Sequence, residues 1–560
     1  MVGYVGPQRA QEILFAGLKR LEYRGYDSAG VAWRDGGQTH CVRAVGNLDS
    51  LQSALAAQPV RAGRASAPVQ TVSASSGIGH TRWATHGDVT ERNAHPHADA
   101  SGRFQIVLNG IVENYLQLRA RLSAAGIECV SDTDAEVVAH LIALHHDGDL
   151  ADAVRLTATE LEGHYAVVAM CADEPETLVG IRRECPLVVG IGDGEHFIAS
   201  SISAFLSHTR EVAVLHDGEI VVLRPDALIV FDIDGLPHPP RSTEVDWDED
   251  RYEKEGFETF MLKEIHEQPI AVAETLAQWR ADLSSGTNHL FGDDQLRRVG
   301  RIIIVACGSS YHAGLAGRMA IERWARIPVE VDVASEFRYR NPIIEPGTLV
   351  LGITQSGETA DTLAAMRLAR ARGATVVAVT NASGSQATRD ADAVLFTSAG
   401  FEMGVAATKT FAAQVVLLYA LALQLAGAHG ALPVAELADK RSELELLPER
   451  IAGVIESVDD GVRDLAERLA WSSLFLYLGR LSGLPVALEG ALKLKEISYV
   501  PTDAYAAGEM KHGPIALLGP DTPVVCVATE EDVGRALRRF TAARRAPRGP
   551  RPGCDSPPAT

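Results

Sequence analysis

The stretch RIIIVACGSSYHAG at residues 301–314 decides the fold of the second half of this chain. Its β-branched run ends at the loop CGSS (307–310), and a helical pattern follows. The same order returns at 348–363, where TLVLGIT precedes QSGET and another helical pattern. Further strand-like runs lie at 375–380 and 393–397. Strands that alternate with helices in this way predict a doubly wound α/β sheet.

This order restarts nearer the C-terminus. A strand-like run at 473–478, the loop GRLSG at 479–483 and a helical pattern at 484–499 repeat the order of 301–325. We interpret the restart as a tandem repeat of one fold. Because 535–560 is rich in Arg, Pro and Ala and has no periodic apolar pattern, we expect the second copy to be incomplete after about residue 532.

The order of strand-like and helical segments in residues 1–226 differs from that in the second half of the chain. It predicts an α+β domain with a substantial antiparallel sheet. Helical patterns cover 11–22 and 135–144, and Thr133 with Asp134 makes a plausible start for the second helix. Strand-like runs lie at 104–108, 165–170, 187–189 and 219–223. We expect a linker at 227–292, where LPHPP (236–240) is a stiff linker signature, and a helical linker at 433–465. The predicted domains are therefore 1–226, 293–432 and 466–560.

The amino-acid composition excludes several classes of function. The 560 residues have a formal net charge of −21, which makes nucleic acid and membrane surfaces poor partners. Seven scattered cysteines form no Cys-x-x-Cys pair, which fits a reducing cytoplasm without a disulfide framework. The most apolar stretch, 415–432, is interrupted by Gln424, Gly427 and His429, so we expect a buried helix rather than a membrane span.

The two loops that follow the strands favour an anionic ligand. Backbone N–H groups at a helix N-terminus attract anions, and hydroxyl groups add donors. The hydroxyl side chains are those of Ser309, Ser310, Thr354, Ser356 and Thr359. Neither the Walker pattern nor Gly-x-Gly-x-x-Gly occurs at these loops, so a phosphorylated small molecule fits better than a nucleotide. Helix capping and tight turns are the other explanation.

Acid–base chemistry is possible in the last third of the chain. Glu489, Lys493 and Glu496 share one face of a predicted helix. A carboxylate beside an ammonium group can move a proton next to a carbonyl. Taken alone, the pattern favours a solvated salt-bridge face. His512, in a loop, has a side chain suited to proton transfer or to a structural role.

The first domain has its own candidate residues. Arg82, in TRWATHG (81–87), could grip a carboxylate. Asn109 and Gly110 end a strand, where an amide and a free N–H can form an oxyanion hole. Asp134 could pair with an α-ammonium group. Taken singly, each of them is better explained by a surface salt bridge, a turn or a helix cap. No Cys or carboxylate lies at ligand spacing beside the local histidines, so we expect no metal there.

Nine motifs together identify a family resemblance. They are RLEYRGYDSAG (20–30), HTRWATHG (80–87), NAHPH (93–97), NGIVEN (109–114), KEIHEQP (263–269), TQSGETADTL (354–363), GVAATK (404–409), LEGALKLKEISY (488–499) and AYAAGEMKHGP (504–514). The chain resembles the glutamine–fructose-6-phosphate aminotransferase (isomerising) family, also called glucosamine-6-phosphate synthase. The resemblance implies an N-terminal-nucleophile (type 2 glutamine amidotransferase) domain followed by two sugar isomerase (SIS) domains. It implies transfer of ammonia from glutamine to fructose 6-phosphate through an internal channel, without a cofactor.

The resemblance also implies roles for individual residues. Arg82, Thr85, His86 and Asp134 would hold glutamine, Asn109 and Gly110 would form the oxyanion hole, and Trp83 would gate the channel. The sugar phosphate would be held by Ser309, Ser310, Thr354, Gln355, Ser356, Thr359 and Val405. Glu496 would be the isomerisation base, with Lys493 beside it. His512 would assist ring opening in a neighbouring subunit, which implies a homodimer.

Two departures from the family pattern affect the expected activity. Family members begin Met-Cys-Gly-Ile-Val-Gly, whereas Met1 here precedes Val2. The nucleophile needs a thiol and a free amine on one residue, so we expect no glutamine hydrolysis from the chain as written. The family's C-terminal tail, with its imine-forming lysine, is also missing. We therefore expect a chain shortened at its start and shifted or stopped near residue 532, with little or no amination.

Two other functions remain open from the residues alone. A non-catalytic sugar-phosphate-binding protein would use the loops of the 301–410 region as a sensor. A glutamine-independent hexose-phosphate isomerase would need only the second half of the chain.

Overall fold

A computed structural model describes residues 1–22, 25, 27–35, 38–57, 75–84, 86–245, 255–285, 292–519 and 521–528. The chain forms two compact units, Met1–Glu253 and Lys254–Thr560. Thr85 and the segment after residue 532, for which the sequence analysis makes predictions, lie outside the described residues. The predicted domain boundaries stay predictions.

In its described residues, the first unit contains two antiparallel sheets and five α-helices. Its strands are β1 (Val2–Gly6), β2 (Ser28–Asp35), β3 (Gln38–Val45), β4 (Ser75–Arg82), β5 (His97–Ala98), β6 (Phe104–Val112), β7 (Gly163–Cys171), β8 (Leu178–Arg183), β9 (Val188–Ile191), β10 (His196–Ala199), β11 (Glu211–Val214), β12 (Ile220–Arg224), β13 (Ala227–Phe231), β14 (Pro237–His238) and β15 (Ser242–Glu244). Its helices are α1 (Ala10–Lys19), α2 (Leu48–Ala56), α3 (Tyr115–Ala124), α4 (Asp134–His145) and α5 (Leu150–Ala158). One sheet has the order β15-β11-β9-β10-β1-β4-β2-β3, and the other has the order β14-β13-β12-β8-β7-β6-β5.

The two sheets pack face to face in this unit. Alternate residues such as Ile78 of β4 and Val107 of β6 share one buried cluster between the sheets. The opposite face of each sheet packs against helices, with Leu14 of α1 in one cluster and Leu141 of α4 in another. These layers give the order helix, sheet, sheet, helix. This is the α+β amidotransferase architecture that the resemblance implies.

Part of the predicted linker 227–292 belongs to these sheets instead. β13 pairs with β12 along 227–231, and β15 pairs with β11 along 242–244. The LPHPP segment also differs from a free linker, because Pro237 and His238 form the edge strand β14. Proline is tolerated at a sheet edge, where its missing N–H is not needed. The C-terminal part of the predicted linker holds a long helix of the second unit.

The second unit contains a parallel five-stranded sheet and the restarted repeat. Its strands are β16 (Arg301–Ala306), β17 (Val329–Val333), β18 (Thr348–Thr354), β19 (Thr375–Thr380), β20 (Ala393–Phe396), β21 (Phe475–Gly479), β22 (Thr502–Ala506) and β23 (Val524–Val527). Its helices are α6 (Phe260–Ser285), α7 (Asp293–Leu296), α8 (Gly308–Trp324), α9 (Ala334–Phe337), α10 (Ala360–Ala371), α11 (Gln386–Asp390), α12 (Lys409–His429), α13 (Val434–Glu445), α14 (Leu447–Leu469) and α15 (Gly483–Ser498). The five-stranded sheet has the order β17-β16-β18-β19-β20, and the smaller sheet has the order β22-β21-β23.

The five-stranded sheet is buried on both faces, as the β-branched runs predict. Ile302 and Ile304 of β16 pack into a cluster with α8 and α12, whereas Ile303 and Val305 pack into a cluster with α10 on the other face. Helices on both faces of a parallel sheet make this the doubly wound fold. The restart after residue 470 is also present, because β21 is followed by α15 and pairs in parallel with β22 and β23.

Helix α12 accounts for the most apolar stretch of the sequence. Among the residues that the structure describes, it is the one helix long and apolar enough to cross a membrane. It packs against α8 and α6, and Leu417, Leu421 and Leu425 are each at most 1% exposed. The expected buried helix is therefore observed as the central helix of the second unit.

Candidate active site

The two hydroxyl-rich loops meet at one edge of the five-stranded sheet. Neighbouring parallel strands bring their carboxyl ends together, and β16 pairs directly with β18. A cavity of about 140 Å³ opens there. Its lining residues are Cys307, Ser309, Ser310, Gln355, Ser356, Thr359, Ala407, Thr410, Phe411 and Gln414. The structure thus brings together five residues that the resemblance assigns to the sugar phosphate.

The start of each following helix is open towards an anion. No side chain caps α8, whose N-cap residue is Cys307, or α10, whose N-cap residue is Thr359. Thr354 lies buried at the end of β18, and its Oγ1 is 2.8 Å from Oγ1 of Thr359. Free N–H groups and the positive end of each helix dipole can therefore act on a bound phosphate.

Gln414 adds an unused acceptor to this cavity. It lies on α12 and is 2% exposed, yet its Oε1 has no hydrogen-bond partner in the described part of the chain. A buried amide oxygen without a partner is costly unless a ligand supplies a donor. The sequence analysis missed Gln414, because no local motif marks a helix side chain that faces a loop from another part of the chain.

Helix α15 places a charged cluster beside the cavity. Nζ of Lys493 donates to Oγ of Ser309 at 3.0 Å, and it lies 3.2 Å from Oε1 of Glu489 and 2.8 Å from Oε2 of Glu496. We call Glu489, Lys493, Glu496 and His312 the α15 cluster. The side chains of Glu489 and Lys493 are 7% and 15% exposed, so this helix face is not simply a solvated salt-bridge face.

His312 completes this cluster from α8. Its Nδ1 is 2.8 Å from Oε2 of Glu489. Burial alone would raise the pKa of Glu489, but the hydrogen bond with His312 and the charge of Lys493 lower it below its usual value. Glu489 is therefore ionised at neutral pH, and Nζ of Lys493 lies between the side chains of Glu489 and Glu496. The sequence analysis named the helix face but missed His312, which lies only three residues beyond Ser309 in the loop motif.

A buried network holds the loop that precedes α12. Glu264 of α6 accepts the N–H groups of Met403 and Gly404. Burial, followed by the charge of Glu402, raises the pKa of Glu264 to about 7. Nζ of Lys409 lies 2.6 Å from Oε2 of Glu267. The network thus fixes the segment between Glu402 and Lys409. Its signal in the sequence is the KEIHEQP motif, to which no role was assigned.

The structure places two other predicted residues apart from the cavity lining. Val405 lies on the loop held by Glu264, and it is 40% exposed. His512 is exposed and follows a short 3₁₀ turn, where its N–H donates to the carbonyl of Glu509 at 2.8 Å. In the described ranges, no hydrogen bond joins the His512 side chain to the cavity, so its predicted role depends on a neighbouring subunit.

In the first unit, Arg82 organises the loop after β4. It is buried, and its guanidinium donates to the carbonyl groups of His86, Gly87 and Asp88. Burial lowers the pKa of Arg82, against the opposing charges of Asp27 and Asp134. The loop is also tied from the other side, because Ala84 N–H donates to Oδ2 of Asp27 at 2.8 Å.

Asp134 lies where β6 meets the start of α4. Its Oδ2 accepts the N–H of Val112 at 2.9 Å, and burial raises its pKa while the charge of His86 opposes that shift. The ring of His86 contacts Tyr115 at 4.9 Å between centroids. Arg82, His86 and Asp134 therefore interact within one region, as their predicted common role requires. Trp83, from the same loop, is 54% exposed.

The prediction that Asn109 and Gly110 end a strand is wrong, because β6 continues to Val112 and the two residues pair with Ala166 and Tyr165 of β7. Oδ1 of Asn109 is 2.9 Å from Nε2 of His80. Gly110 has φ +91°, and a Cβ there would lie 2.1 Å from the carbonyl oxygen of His164. The position therefore requires glycine.

The neighbouring histidines are neutral. Burial lowers the pKa of His80 and of His95 well below the usual value, and it lowers that of His97 to about 4. His80 stacks on His95 at 4.1 Å between ring centroids, and Nε2 of His97 is 3.1 Å from Oγ1 of Thr133. They support the loop and the start of α4 by packing and hydrogen bonding.

Comparison with known proteins identifies the family. Residues 295–424 and 470–544 match the SIS domain family, and residues 80–207 match a glutamine amidotransferase domain family. The chain is 50% identical over 534 residues to the glutamine–fructose-6-phosphate aminotransferase [isomerizing] of Streptomyces coelicolor, covering 94% of this chain and 84% of that protein. It is 45% identical over 536 residues to the same enzyme of Clostridium tetani, covering 95% and 86%. The chain belongs to the glutamine–fructose-6-phosphate aminotransferase (isomerizing) family.

A solved structure resembles the second part of this family member. It is the C-terminal domain of glucosamine-fructose-6-phosphate aminotransferase from Francisella tularensis, with 36% sequence identity and a TM-score of 0.49, covering 52% of this chain and 82% of that one. The sequence relatives and the two domain families confirm the recognition, the fold class and the assignment as an enzyme. The roles of individual site residues stay predictions.

Proposed function

We propose that the sites of this chain serve the transfer of the amide nitrogen of glutamine to fructose 6-phosphate with isomerisation of the sugar, giving glucosamine 6-phosphate and glutamate, and that the glutamine-dependent step needs the N-terminal cysteine that the sequence as written lacks. The single observation that supports this most strongly is the position of the α15 cluster. Lys493 donates to Ser309, a residue of the hydroxyl-lined cavity, in a chain that belongs to this enzyme family. A phosphate site and a proton-transfer site are therefore within one hydrogen bond of each other.

Different residues bind the phosphate of the sugar and act on its reacting carbons. Ser309, Ser310, Ser356 and Thr359, with Thr354 and Gln355, hold the phosphate at the uncapped helix starts, and Val405 contacts the sugar from the loop before α12. Glu496 moves the proton between the two carbons that exchange carbonyl character. Lys493 stabilises the negative charge that develops on oxygen, because an ammonium group within contact distance favours an enediolate.

The first unit binds glutamine, which is the nitrogen donor. Arg82 holds the α-carboxylate of glutamine, Asp134 pairs with its α-ammonium group, and Thr85 and His86 complete the binding residues. Asn109 and Gly110 stabilise the oxyanion that forms when a nucleophile attacks the amide carbon, and the family's nucleophile is an N-terminal cysteine that this sequence does not contain. Trp83 controls passage of ammonia.

We also propose a cytoplasmic homodimer in which His512 of each chain assists ring opening in the other, without nucleic acid or membrane partners.

The test measures glucosamine 6-phosphate formed from fructose 6-phosphate, with glutamine or ammonium as the nitrogen source, for this chain and for one that carries the family's N-terminal cysteine and C-terminal tail. Glu496→Gln removes the base, and we expect a loss of roughly 10²-fold or more in kcat with little change in KM. Glu456→Gln, on the exposed face of α14, is the matched control and should keep full activity. Equal activity of the two variants contradicts the proposal. Thermal stabilisation by fructose 6-phosphate with no product under either condition favours the sensor instead.

A further inference from the structure

Three side chains with metal-binding atoms meet outside the proposed active site. Sγ of Cys129, a carboxylate oxygen of Glu136 and a ring nitrogen of His140 all lie within 4.8 Å of one another. Glu136 and His140 are one turn apart on α4, and Cys129 lies in the segment just before that helix. Oε1 of Glu136 is 3.5 Å from Nε2 of His140. Two ligands of a tetrahedral zinc ion, with bonds of about 2.1 Å, are separated by roughly this distance.

A second observation points to a missing ligand. Nε2 of His140 has no hydrogen-bond partner in the described part of the chain, although the side chain is only 3% exposed. A buried donor or acceptor without a partner costs about 1–3 kcal/mol, so an ion at this position would relieve that cost. Cys129 is partly exposed, which gives a small ion access from the surface.

The carboxylate is already held for such a role. Val130 N–H donates to Oε1 of Glu136 at 2.7 Å, and Ser131 N–H donates to Oε2 at 2.5 Å. Each oxygen keeps a second lone pair.

We propose that Cys129, Glu136 and His140 bind a zinc ion, with a water molecule as the fourth ligand. Sulfur, nitrogen and oxygen donors in one site favour zinc over magnesium or calcium, which prefer oxygen alone. The ion would clamp the segment 129–133 onto α4, whose first residue is Asp134. The site does not include the histidines for which the sequence analysis expects no metal, and it does not depend on the proposed function.

The experiment titrates the chelator-treated full chain with Zn²⁺ and, separately, with Co²⁺. Cys129→Ser removes the sulfur ligand, and Cys526→Ser, at an exposed thiol of the second unit, is the matched control. We expect the wild-type chain and Cys526→Ser to bind one ion with a thiolate-to-cobalt charge-transfer band. Cys129→Ser should lose the band and bind Zn²⁺ at least about tenfold more weakly.

A second measurement localises the ion. Zn²⁺ should slow alkylation of Cys129 by iodoacetamide, followed by peptide mapping, without slowing that of Cys526. Equal unfolding midpoints of metal-free wild type and Cys129→Ser establish that the variant folds. The proposal is overturned if wild type binds no Zn²⁺, if its cobalt spectrum lacks the thiolate band, or if Cys129→Ser binds as tightly as wild type.

Discussion

Gly357 shows how a single residue shapes the phosphate loop. It has φ +68°, and a Cβ at this position would lie 1.9 Å from Oγ of Ser385. We predict that Gly357→Ala lowers the free energy of unfolding by about 2–4 kcal/mol, from left-handed strain plus the clash, and weakens fructose 6-phosphate binding. Gly373→Ala is the control, because Gly373 has φ +87° with nothing within 4 Å of the added Cβ. Urea unfolding and calorimetry measure both, and equal losses in the two variants would refute the clash.

We expect the titration of Glu264 to make the free energy of unfolding depend on pH. Its pKa is about 7 in the folded chain against 4.5 for an ordinary glutamate, so the folded state holds the proton more tightly. The stabilisation is therefore complete below pH 4.5 and is lost as the pH rises through about 7, up to about 3 kcal/mol in all. Glu264→Gln cannot titrate and should lack this decline.

Unfolding free energies at several pH values between 4 and 8 test the sign. Relative to wild type, Glu264→Gln should become more stable as the pH rises. Glu274→Gln, on the exposed face of the same helix, should follow the wild-type curve. Parallel curves for wild type and Glu264→Gln would show that the carboxylate titrates normally in the folded chain.

At the scale of elements, α15 contains an i,i+4 ion pair whose environment differs from that of a surface pair. Lys493 faces both Glu489 and Glu496 and reaches Ser309, and its side chain is 15% exposed. Lys493→Gln leaves two carboxylates together without a cation, which should cost about 2–4 kcal/mol of stability and most of the activity. The measurement is urea unfolding together with the glucosamine 6-phosphate assay.

Lys440 provides the matched control for that prediction. It forms an i,i+4 pair with Glu436 on α13 at 3.7 Å, with both side chains more exposed than those of the Lys493 pair. Lys440→Gln should therefore change the free energy of unfolding by no more than about 0.5 kcal/mol and leave activity intact. Equal losses of unfolding free energy in the two lysine variants would show that the position of α15 against the cavity does not strengthen its ion pair.

Elements with a strong local pattern could be predicted from the sequence. The run at 301–306 is β16, 348–354 is β18, and Thr133 accepts the N–H of Glu136 at the start of α4, as its place before that helix predicts. The strand β14 could not be predicted, because its proline-rich sequence is also typical of a linker, and only pairing with β13 shows its place at a sheet edge.

Only part of the candidate site could be predicted from the sequence. The two loops could be predicted because each directly follows a buried strand, and parallel strands bring such loops together. His312 and Glu489 are 177 residues apart in the chain, and Gln414 faces its cavity from a different helix. Contacts of this kind depend on how the helices pack, which no local spacing records. The zinc ligands Glu136 and His140 are one helical turn apart, but only the fold brings Cys129 to them.

At the scale of the whole molecule, the two substrates should report on the two units separately. Asp134 belongs to the first unit and Ser356 to the second. We predict that Asp134→Asn weakens glutamine binding by roughly tenfold or more, because the α-ammonium group loses its carboxylate, and leaves fructose 6-phosphate binding unchanged. Ser356→Ala, which removes one phosphate donor, should do the reverse by a smaller factor. Isothermal titration calorimetry of the full chain with each ligand measures both constants.

Asp132→Asn is the control that separates charge at the site from charge nearby. Asp132 lies two residues before Asp134, but its carboxylate is exposed and bonds to Arg92 and Asn93 instead of Val112. Its substitution changes the net charge of −21 by the same amount as Asp134→Asn, so a general electrostatic effect would weaken glutamine binding equally in both variants. A loss confined to Asp134→Asn instead requires direct pairing with the ligand. Loss of fructose 6-phosphate affinity in Asp134→Asn would contradict the assignment of one substrate to each unit.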